Sequence, residues 1–452
     1  MTILLNTGYI IKKSELSKEN RRKIISELNV YPQVFGGPNK NFIRDSDKFK
    51  VYRESENRYR LPRYYGTEVF GTPTISKLKN GIPINIEFTG TLKPSLQQDK
   101  ACQITLDLLR TKGGTILSLP TGYGKTTCAL YCVCQLKVKT LIIVHKEFLL
   151  NQWVERIQQF IPSASIGTIR GKKIDVHGKD IVISMLQSLS MKEYDPEIFN
   201  GFGLTVIDET HHICSKVFSN ALFVNSTKFT LGLSATPERK DGLTKVLYWF
   251  MGPLGFSIKR ENQKGVEVQI SNFSCDLYNE IPPMSATGQI SLPGVITQIV
   301  NIAQRNELIN TTIEQFVCSG RKIIILSDRR QHCEHLMSLL HPDIKLKYTH
   351  GLYMGGMKQH ILKENEKCDI IYATYSLAHE GLDIPTLNTL VMATPKTDVV
   401  QSCGRILREA GQRTHDPLIF DIVDNYASLL GQSRKRQKFY KLSGFNINFN
   451  IH

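Results

Sequence analysis

A chain of 452 residues, 41% of them hydrophobic, is too long for one core, so two to four domains are expected. The 57 Lys and Arg against 41 Asp and Glu leave a net charge of +16, a surplus that favours a polyanionic partner. No apolar run reaches the length of a membrane span, and Met1-Thr-Ile-Leu-Leu-Asn-Thr-Gly8 lacks a basic flank and a cleavage-type site, so an intracellular protein with no membrane partner is expected. The ten cysteines form no Cys-x-x-Cys pair, and His332, Cys333 and His335 crowd together without a second ligand pair; all are read as reduced and structural.

Residues 1–91 form a first region, expected as a small α+β accessory domain, and no phosphate chemistry is visible there. Val51-Tyr-Arg-Glu-Ser-Glu-Asn-Arg-Tyr-Arg-Leu-Pro-Arg-Tyr-Tyr-Gly66 interleaves aromatic and basic residues around a Glu-Ser-Glu-Asn turn, which predicts a β-hairpin. Arg53, Arg58, Arg60 and Arg63 beside Tyr59, Tyr64 and Tyr65 suit two roles: holding a nucleic-acid backbone with bases stacked on the rings, or packing the hairpin on the neighbouring domain.

Residues 92–256 alternate short apolar strands with helical stretches, the sign of a parallel sheet covered by helices. Thr115-Ile-Leu-Ser-Leu119 predicts a strand, Leu119-Pro-Thr-Gly-Tyr-Gly-Lys-Thr-Thr127 a loop, and Cys128-Ala-Leu-Tyr-Cys-Val-Cys134 a helix. Gly122 and Gly124 let backbone N–H groups turn inward around phosphate oxygens, with Thr121 and Thr127 flanking them, and the helix starting near Lys125 adds its positive dipole end. Lys125 is expected on the β- and γ-phosphates of a nucleotide and the Thr126 hydroxyl on Mg²⁺. Leu119 stands where the strict G-x-x-x-x-G-K-[ST] pattern has Gly.

Three further strands are predicted at 140–144, 181–184 and 204–207, and the last runs into Asp208-Glu-Thr-His-His212. Acidic residues at the carboxyl end of a central strand lie where open α/β sheets bind ligands, so Asp208 is expected to hold the Mg²⁺ and Glu209 to orient and deprotonate the attacking water. Ser234 and Thr236 follow the strand at 229–233 and can hydrogen-bond differently before and after hydrolysis, which makes them coupling candidates.

Residues 257–294 have the Pro-rich composition of a linker, and residues 295–430 repeat the α/β pattern. Gln401-Ser-Cys-Gly-Arg-Ile-Leu-Arg408 puts Arg405 and Arg408 three apart on one helix face. Residues 431–452 are expected as a basic tail in which Arg434, Lys435, Arg436, Lys438 and Lys441 either contact phosphates, releasing counterions, or stay solvated as a nuclear-import-like cluster.

Thr121-Gly-Tyr-Gly-Lys-Thr126, Asp208-Glu-Thr-His211 and Ser234-Ala-Thr236, in this order and at these separations, resemble motifs I, II and III of the superfamily 2 helicases. Phe88-Thr-Gly-Thr-Leu-Lys-Pro-Ser-Leu-Gln-Gln98 is similar to the Q motif, with Gln97 chosen to recognise adenine and Gln98 as the rival. Ser327-Asp-Arg-Arg330, Thr374-Tyr-Ser-Leu-Ala-His-Glu-Gly-Leu-Asp383 and Gln401 to Arg408 resemble motifs IV, V and VI. Asp-Glu-x-His, Arg239-Lys-Asp-Gly242 and Pro62-Arg-Tyr-Tyr-Gly66 look most like the group holding XPB, the phage UvsW-type helicases and the transcript-release helicase of poxviruses and related large DNA viruses.

The resemblance implies two tandem RecA-like parallel-sheet domains behind the accessory domain, in an α/β chain. It implies that Gln401, Arg405 and Arg408 act at the γ-phosphate from the second motor domain, that Gly381 and Asp383 line the nucleotide site, and that His211 couples it to the strand site. His145, Lys146, Arg170, Gly171, Arg329 and Thr374 are the implied nucleic-acid contacts. The expected activity is an ATP- and Mg²⁺-dependent DNA helicase or translocase, moving 3′ to 5′ on single strands or overhang duplexes, in transcription or repair. The alternatives are a duplex-remodelling ATPase that separates no strands and an RNA helicase. A monomer is expected, with transcription or repair proteins as partners; in a viral setting it would work at the cytoplasmic replication site or in the virion, with the nucleus as the alternative.

Overall fold

A computed structural model describes residues 1–32, 48–213, 218–223, 227–236, 238–239, 241–258, 265–279, 282–285, 288–382, 384–407 and 415–450, and the chain divides into two compact units, Met1–Lys259 and Arg260–His452. The first unit begins with the strands β1 (Ile3–Leu5), β2 (Gly8–Lys12), β5 (Arg53–Glu54), β6 (Arg58–Leu61) and β7 (Ile75–Ser76), ordered β5-β6-β2-β1-β7, beside a two-stranded ribbon of β3 (Asn29–Val30) and β4 (Phe49–Lys50). Two helices accompany them, α1 (Lys18–Leu28) and α2 (Arg63–Phe70). The Ser17 hydroxyl caps α1 by accepting the Asn20 N–H, and its apolar stripe buries Ile24 and Leu28.

The predicted hairpin forms between β5 and β6. Opposite β2, Tyr59 pairs with Ile11 and Leu61 with Tyr9, and all four are buried. Tyr65 meets Trp249 edge-on at 5.3 Å between ring centroids, and the Arg63 guanidinium donates to the carbonyls of Lys228 at 2.9 Å and Thr227 at 3.2 Å. Of the two readings of this segment, packing holds for Tyr59, Arg63 and Tyr65, while Arg58 stays exposed.

The larger sheet of this unit has the order β11-β10-β12-β9-β13-β14-β8-β15. Its strands are β8 (Gly114–Ser118), β9 (Thr140–Val144), β10 (Ile166–Arg170), β11 (Lys173–Ile174), β12 (Ile181–Met185), β13 (Leu204–Ile207), β14 (Phe229–Ser234) and β15 (Leu254–Ser257). All neighbours are parallel except β10 and β11. Its helices are α3 (Gln98–Lys112), α4 (Lys125–Leu136), α5 (Glu147–Phe160), α6 (Leu186–Met191) and α7 (Thr244–Met251). Covered on both faces, β8, β9 and β13 are buried at every residue instead of alternating. The nine described cysteines are all free.

The second unit is built on a seven-stranded parallel sheet, ordered β18-β19-β17-β20-β21-β16-β22. The strands are β16 (Glu267–Phe273), β17 (Ile323–Ser327), β18 (His350–Tyr353), β19 (Ile370–Thr374), β20 (Thr389–Met392), β21 (Leu418–Asp424) and β22 (Asn446–Asn450). The helices are α8 (Leu292–Ile299), α9 (Ala303–Cys318), α10 (Arg330–Leu339), α11 (Pro342–Lys347), α12 (Gln359–Asn365), α13 (Tyr375–Gly381), α14 (Val400–Ile406) and α15 (Ala427–Leu442).

Two segments differ from expectation. The stretch read as a linker contains β16, paired on both sides, because Val268 and Ile270 alternate with polar residues and are fully buried. The stretch read as a tail contains most of α15 and the edge strand β22, because Arg436, Tyr440 and Phe445 are buried in the unit's core. Among the described residues, no helix is long and apolar enough to cross a membrane.

Candidate active site

The sheet order sets β13, β14 and β8 side by side, so the loops leaving their carboxyl ends meet at one edge of the first unit. The loop after β8 turns through Gly122 and Gly124, both left-handed at φ 89° and 79°, and delivers Lys125 as the first residue of α4. A Cβ on Gly124 would be strained by the left-handed backbone and would sit 2.4 Å from Gln98 Nε2, displacing that side chain, so glycine is favoured there. Lys125 Nζ donates to the Leu119 carbonyl at 3.2 Å and lies 4.0 Å from Glu209 Oε1, with both side chains largely buried. Thr126 and Thr127 follow in the first turn of α4, and Thr121 stands in the turn before it.

Asp208 leaves β13 with both carboxylate oxygens engaged: Oδ1 accepts the Glu209 N–H at 3.0 Å and Oδ2 accepts the Trp153 indole N–H at 2.9 Å. Desolvation, and then the neighbouring Glu209 charge, push the Asp208 carboxyl above the usual range, against the pull of the Trp153 bond and Lys125. Glu209 itself is left-handed at φ 46°, a strained conformation for a side-chain-bearing residue that aims its carboxylate toward Lys125. His211 Nδ1 stands 3.4 Å from the other Glu209 oxygen.

This acidic loop is tied to β14 and beyond. The Thr210 hydroxyl donates to the Leu233 carbonyl at 3.1 Å, one residue before Ser234, and Ser234 Oγ accepts the Thr236 N–H at 3.2 Å. The Arg239 guanidinium donates to the His211 carbonyl while its Nε holds Asp241 Oδ1 at 2.9 Å. For His212 only the backbone is described.

Gln97 and Gln98, the two candidates for recognising adenine, sit in different environments. Gln97 takes a left-handed turn at φ 52° and is exposed. That kink turns Gln98 inward, where it is 3% exposed; its Oε1 accepts the Lys93 N–H at 2.8 Å and its Nε2 donates to the Tyr123 carbonyl in the phosphate loop at 2.9 Å.

The implied nucleic-acid contacts of the first unit lie at the end of β10 and on the loops after β9 and β10. His145 is buried, with its carbonyl accepting Gln187 Nε2 at 2.6 Å, and Lys146 precedes α5. Arg170 grips Glu147 with both terminal nitrogens, at 2.5 and 2.9 Å, and the Gly171 N–H donates to Ser188 Oγ at 3.1 Å. In the second unit, the Arg329 guanidinium donates to the Pro293 carbonyl at 2.7 Å, and Thr374 precedes α13 as a mostly buried residue.

Arg405, expected to share one helix face with Arg408, is 6% exposed, because its guanidinium donates into the unit's interior, to the Leu382 carbonyl at 2.6 Å. Arg408 and Asp383 lie outside the described residues, and only the backbone of Gln401 and Gly381 is described. Sequence reasoning missed Trp153: its partner is 55 residues away, and only its place in the helix following a central strand pointed to the site.

Residues 91–239 match the family described as "Type III restriction enzyme, res subunit", and residues 305–410 match "Helicase conserved C-terminal domain". A protein of Acanthamoeba polyphaga mimivirus named as an ATP-dependent RNA helicase, L396, is 34% identical over 455 residues, covering 99% of this chain and 86% of its own length. A protein of Invertebrate iridescent virus 6 named as a helicase, 161L, is 27% identical, covering 81% of this chain and 85% of its own. The crystal structure of T4 UvsW aligns over 99% of this chain and 98% of its own, at 17% identity and a TM-score of 0.37. With both helicase domains matched and a relative this similar along nearly its whole length, the chain belongs to the superfamily 2 helicases, ATP-hydrolysing enzymes with two RecA-like domains.

Proposed function

We propose that the protein is an ATP-driven motor that moves 3′ to 5′ along DNA and separates its strands. The observation that carries the chemical part is the meeting of Lys125, Asp208 and Glu209, from two separate strand ends, at one edge of the sheet with their side chains largely out of water. Two carboxylates face a single ammonium there, leaving an uncompensated negative charge out of bulk water that suits a divalent cation. Thr126 and Asp208 would hold Mg²⁺, which when bound would neutralise phosphate charge. Lys125 then leaves the Leu119 carbonyl for the phosphates of ATP, the loop N–H groups around Gly122 and Gly124 orient them, and Glu209 takes the proton of the attacking water.

His211, whose Nδ1 lies 3.4 Å from a Glu209 oxygen, together with Ser234 and Thr236 passes the state of that site to the strand contacts. Gln401, Arg405 and Arg408 act at the γ-phosphate from the second RecA-like domain, a role for which Arg405 must release the Leu382 carbonyl. His145, Lys146, Arg170, Gly171, Arg329 and Thr374 contact the strand without reading its sequence. Residues 1–91 serve as the accessory domain, the protein acts as a monomer, and its partners are transcription or repair proteins. A second reading, movement on RNA, is favoured by the RNA-helicase names of the mimivirus relative and of QP509L from African swine fever virus.

Strand displacement on DNA and RNA duplexes with 3′ or 5′ overhangs decides between them, with Glu209→Gln as the catalytic control. The DNA reading requires unwinding of the 3′-overhang DNA duplex, with ATP bound but not turned over by Glu209→Gln. Unwinding confined to RNA would establish the second reading, and a Glu209→Gln protein with wild-type turnover would refute the site.

A further inference from the structure

Helix α15 carries two sets of cations that the fold treats differently. Arg436 is 1% exposed; its Nε and Nη2 donate to the two oxygens of Asp421 at 2.8 and 2.9 Å, and its Nη1 donates to the Lys396 carbonyl at 2.9 Å. Tyr440, one turn later, donates its hydroxyl to the same carboxylate at 3.0 Å. A buried two-pronged ion pair of this kind fixes the roll of a helix as well as its position. With that face committed inward, Arg434, Lys435, Lys438 and Lys441 are all exposed. Spacings of four and three set Arg434, Lys438 and Lys441 in one row, about 10 Å long at 1.5 Å per residue.

Nothing within the helix neutralises that row. Ala427–Leu442 contains no Asp or Glu, so the acid partners that normally stabilise an exposed basic helix at i±4 are missing and the like charges repel. The negative end of the helix dipole accounts for a cation in the last turn, Lys441, but its influence does not reach back to Arg434.

A second observation connects the row to the strand contacts. Lys396, whose carbonyl receives Arg436, donates its ammonium to Asp328 at 2.9 Å, and the Asp328 N–H is held by Thr394 Oγ1 at 2.9 Å. Asp328 immediately precedes Arg329, so α15 is fastened to the loop that carries a proposed contact.

We propose that the outer face of α15 is an additional, sequence-independent binding surface for nucleic-acid phosphates, held in fixed register with the loop at 327–330. The proposal rests on the nucleic-acid reading of the function. A duplex presents one negative charge per roughly 1.7 Å of its axis, so a row of this length spans several phosphates, and flexible Lys and Arg side chains can meet them without base contacts.

The test is the salt dependence of binding to a fluorescent DNA duplex with a 3′ overhang, followed by anisotropy on the full chain. Arg434→Gln, Lys435→Gln, Lys438→Gln and Lys441→Gln are combined in one variant. A control variant removes as many exposed cations from the first unit through Lys12→Gln, Lys18→Gln, Arg22→Gln and Lys23→Gln. Each phosphate contact contributes about 0.9 to the slope of log affinity against log salt, so the α15 variant should lose roughly two to four from that slope. Its melting temperature and its ATP hydrolysis without nucleic acid should be unchanged. Superimposable slopes, or an equal loss in the control, would overturn the assignment while leaving the motor reading intact. Failure of the unaltered chain to bind DNA or RNA at any salt would overturn both.

Discussion

Arg436→Met separates an integral helix from a solvated tail. The substitution keeps the aliphatic bulk but leaves the Asp421 carboxylate, 1% exposed, with the Tyr440 hydroxyl as its remaining side-chain donor. Removing one partner of a buried pair costs about 3–5 kcal/mol, because the surviving charge cannot regain water. In a unit the size of Arg260–His452, each kcal/mol moves the melting temperature by about 2–4 °C, which puts the shift at about 6–20 °C. Calorimetry of the full chain should show the second unit melting early while the first is unaffected. Adding Asp421→Asn should restore most of the loss, since a neutral amide still accepts from Tyr440 without a stranded charge. A midpoint within about a degree of wild type for Arg436→Met, or no recovery in the double variant, would refute the reasoning. The same pair predicts that a chain ending at Leu430 is destabilised for reasons unrelated to nucleic acid, which is why the phosphate surface has to be tested by point substitutions.

Gln98→Ala should weaken ATP use roughly tenfold by breaking the bridge between Lys93 and the Tyr123 carbonyl, whereas Gln97→Ala, at an exposed position, should stay within about twofold; Michaelis constants for ATP check both. Trp153→Phe keeps the ring and deletes the donor to Asp208, so steady-state turnover should fall about 10- to 100-fold with ATP affinity retained, and an unchanged rate would remove Trp153 from the site. His332, buried between Ser327 Oγ and Asn306 Oδ1 at 3.0 Å each, is held down to about 3 by burial and then by the Arg305 charge. Its neutral form contributes stability fully present above pH 6.5 and lost as pH falls toward 3, about 2 kcal/mol by pH 5; thermal melts of the second unit should show that slope, and His332→Gln should flatten it.

The backbone around Lys125 was legible because it is written in contiguous sequence, a buried strand, glycines that permit left-handed turns, then a helix start, and the Asp208–Glu209 edge because a buried strand runs straight into two acids. What gives Gln97 and Gln98 their different environments is a single left-handed residue closing the short helix Pro94–Leu96, a backbone event with no glycine to announce it. β16 was hidden because the proline content of the surrounding stretch outweighed a five-residue alternation, Glu267 to Ser271, that has the period of a strand. The C-terminal helix failed for a deeper reason. A basic run is ordinarily a solvated face, and nothing local distinguishes Arg436 from its four neighbours; the difference lies in Asp421, 15 residues upstream on β21. Asp421 and Asp424 are both buried acids on that strand, and each is matched by an arginine from a helix, Arg436 and Arg305. An acid inside a parallel strand is costly without such a match, so Leu418-Ile-Phe-Asp-Ile-Val-Asp424 already demanded two buried cations. The sequence announced the need through its acids; which arginines met it was settled by packing.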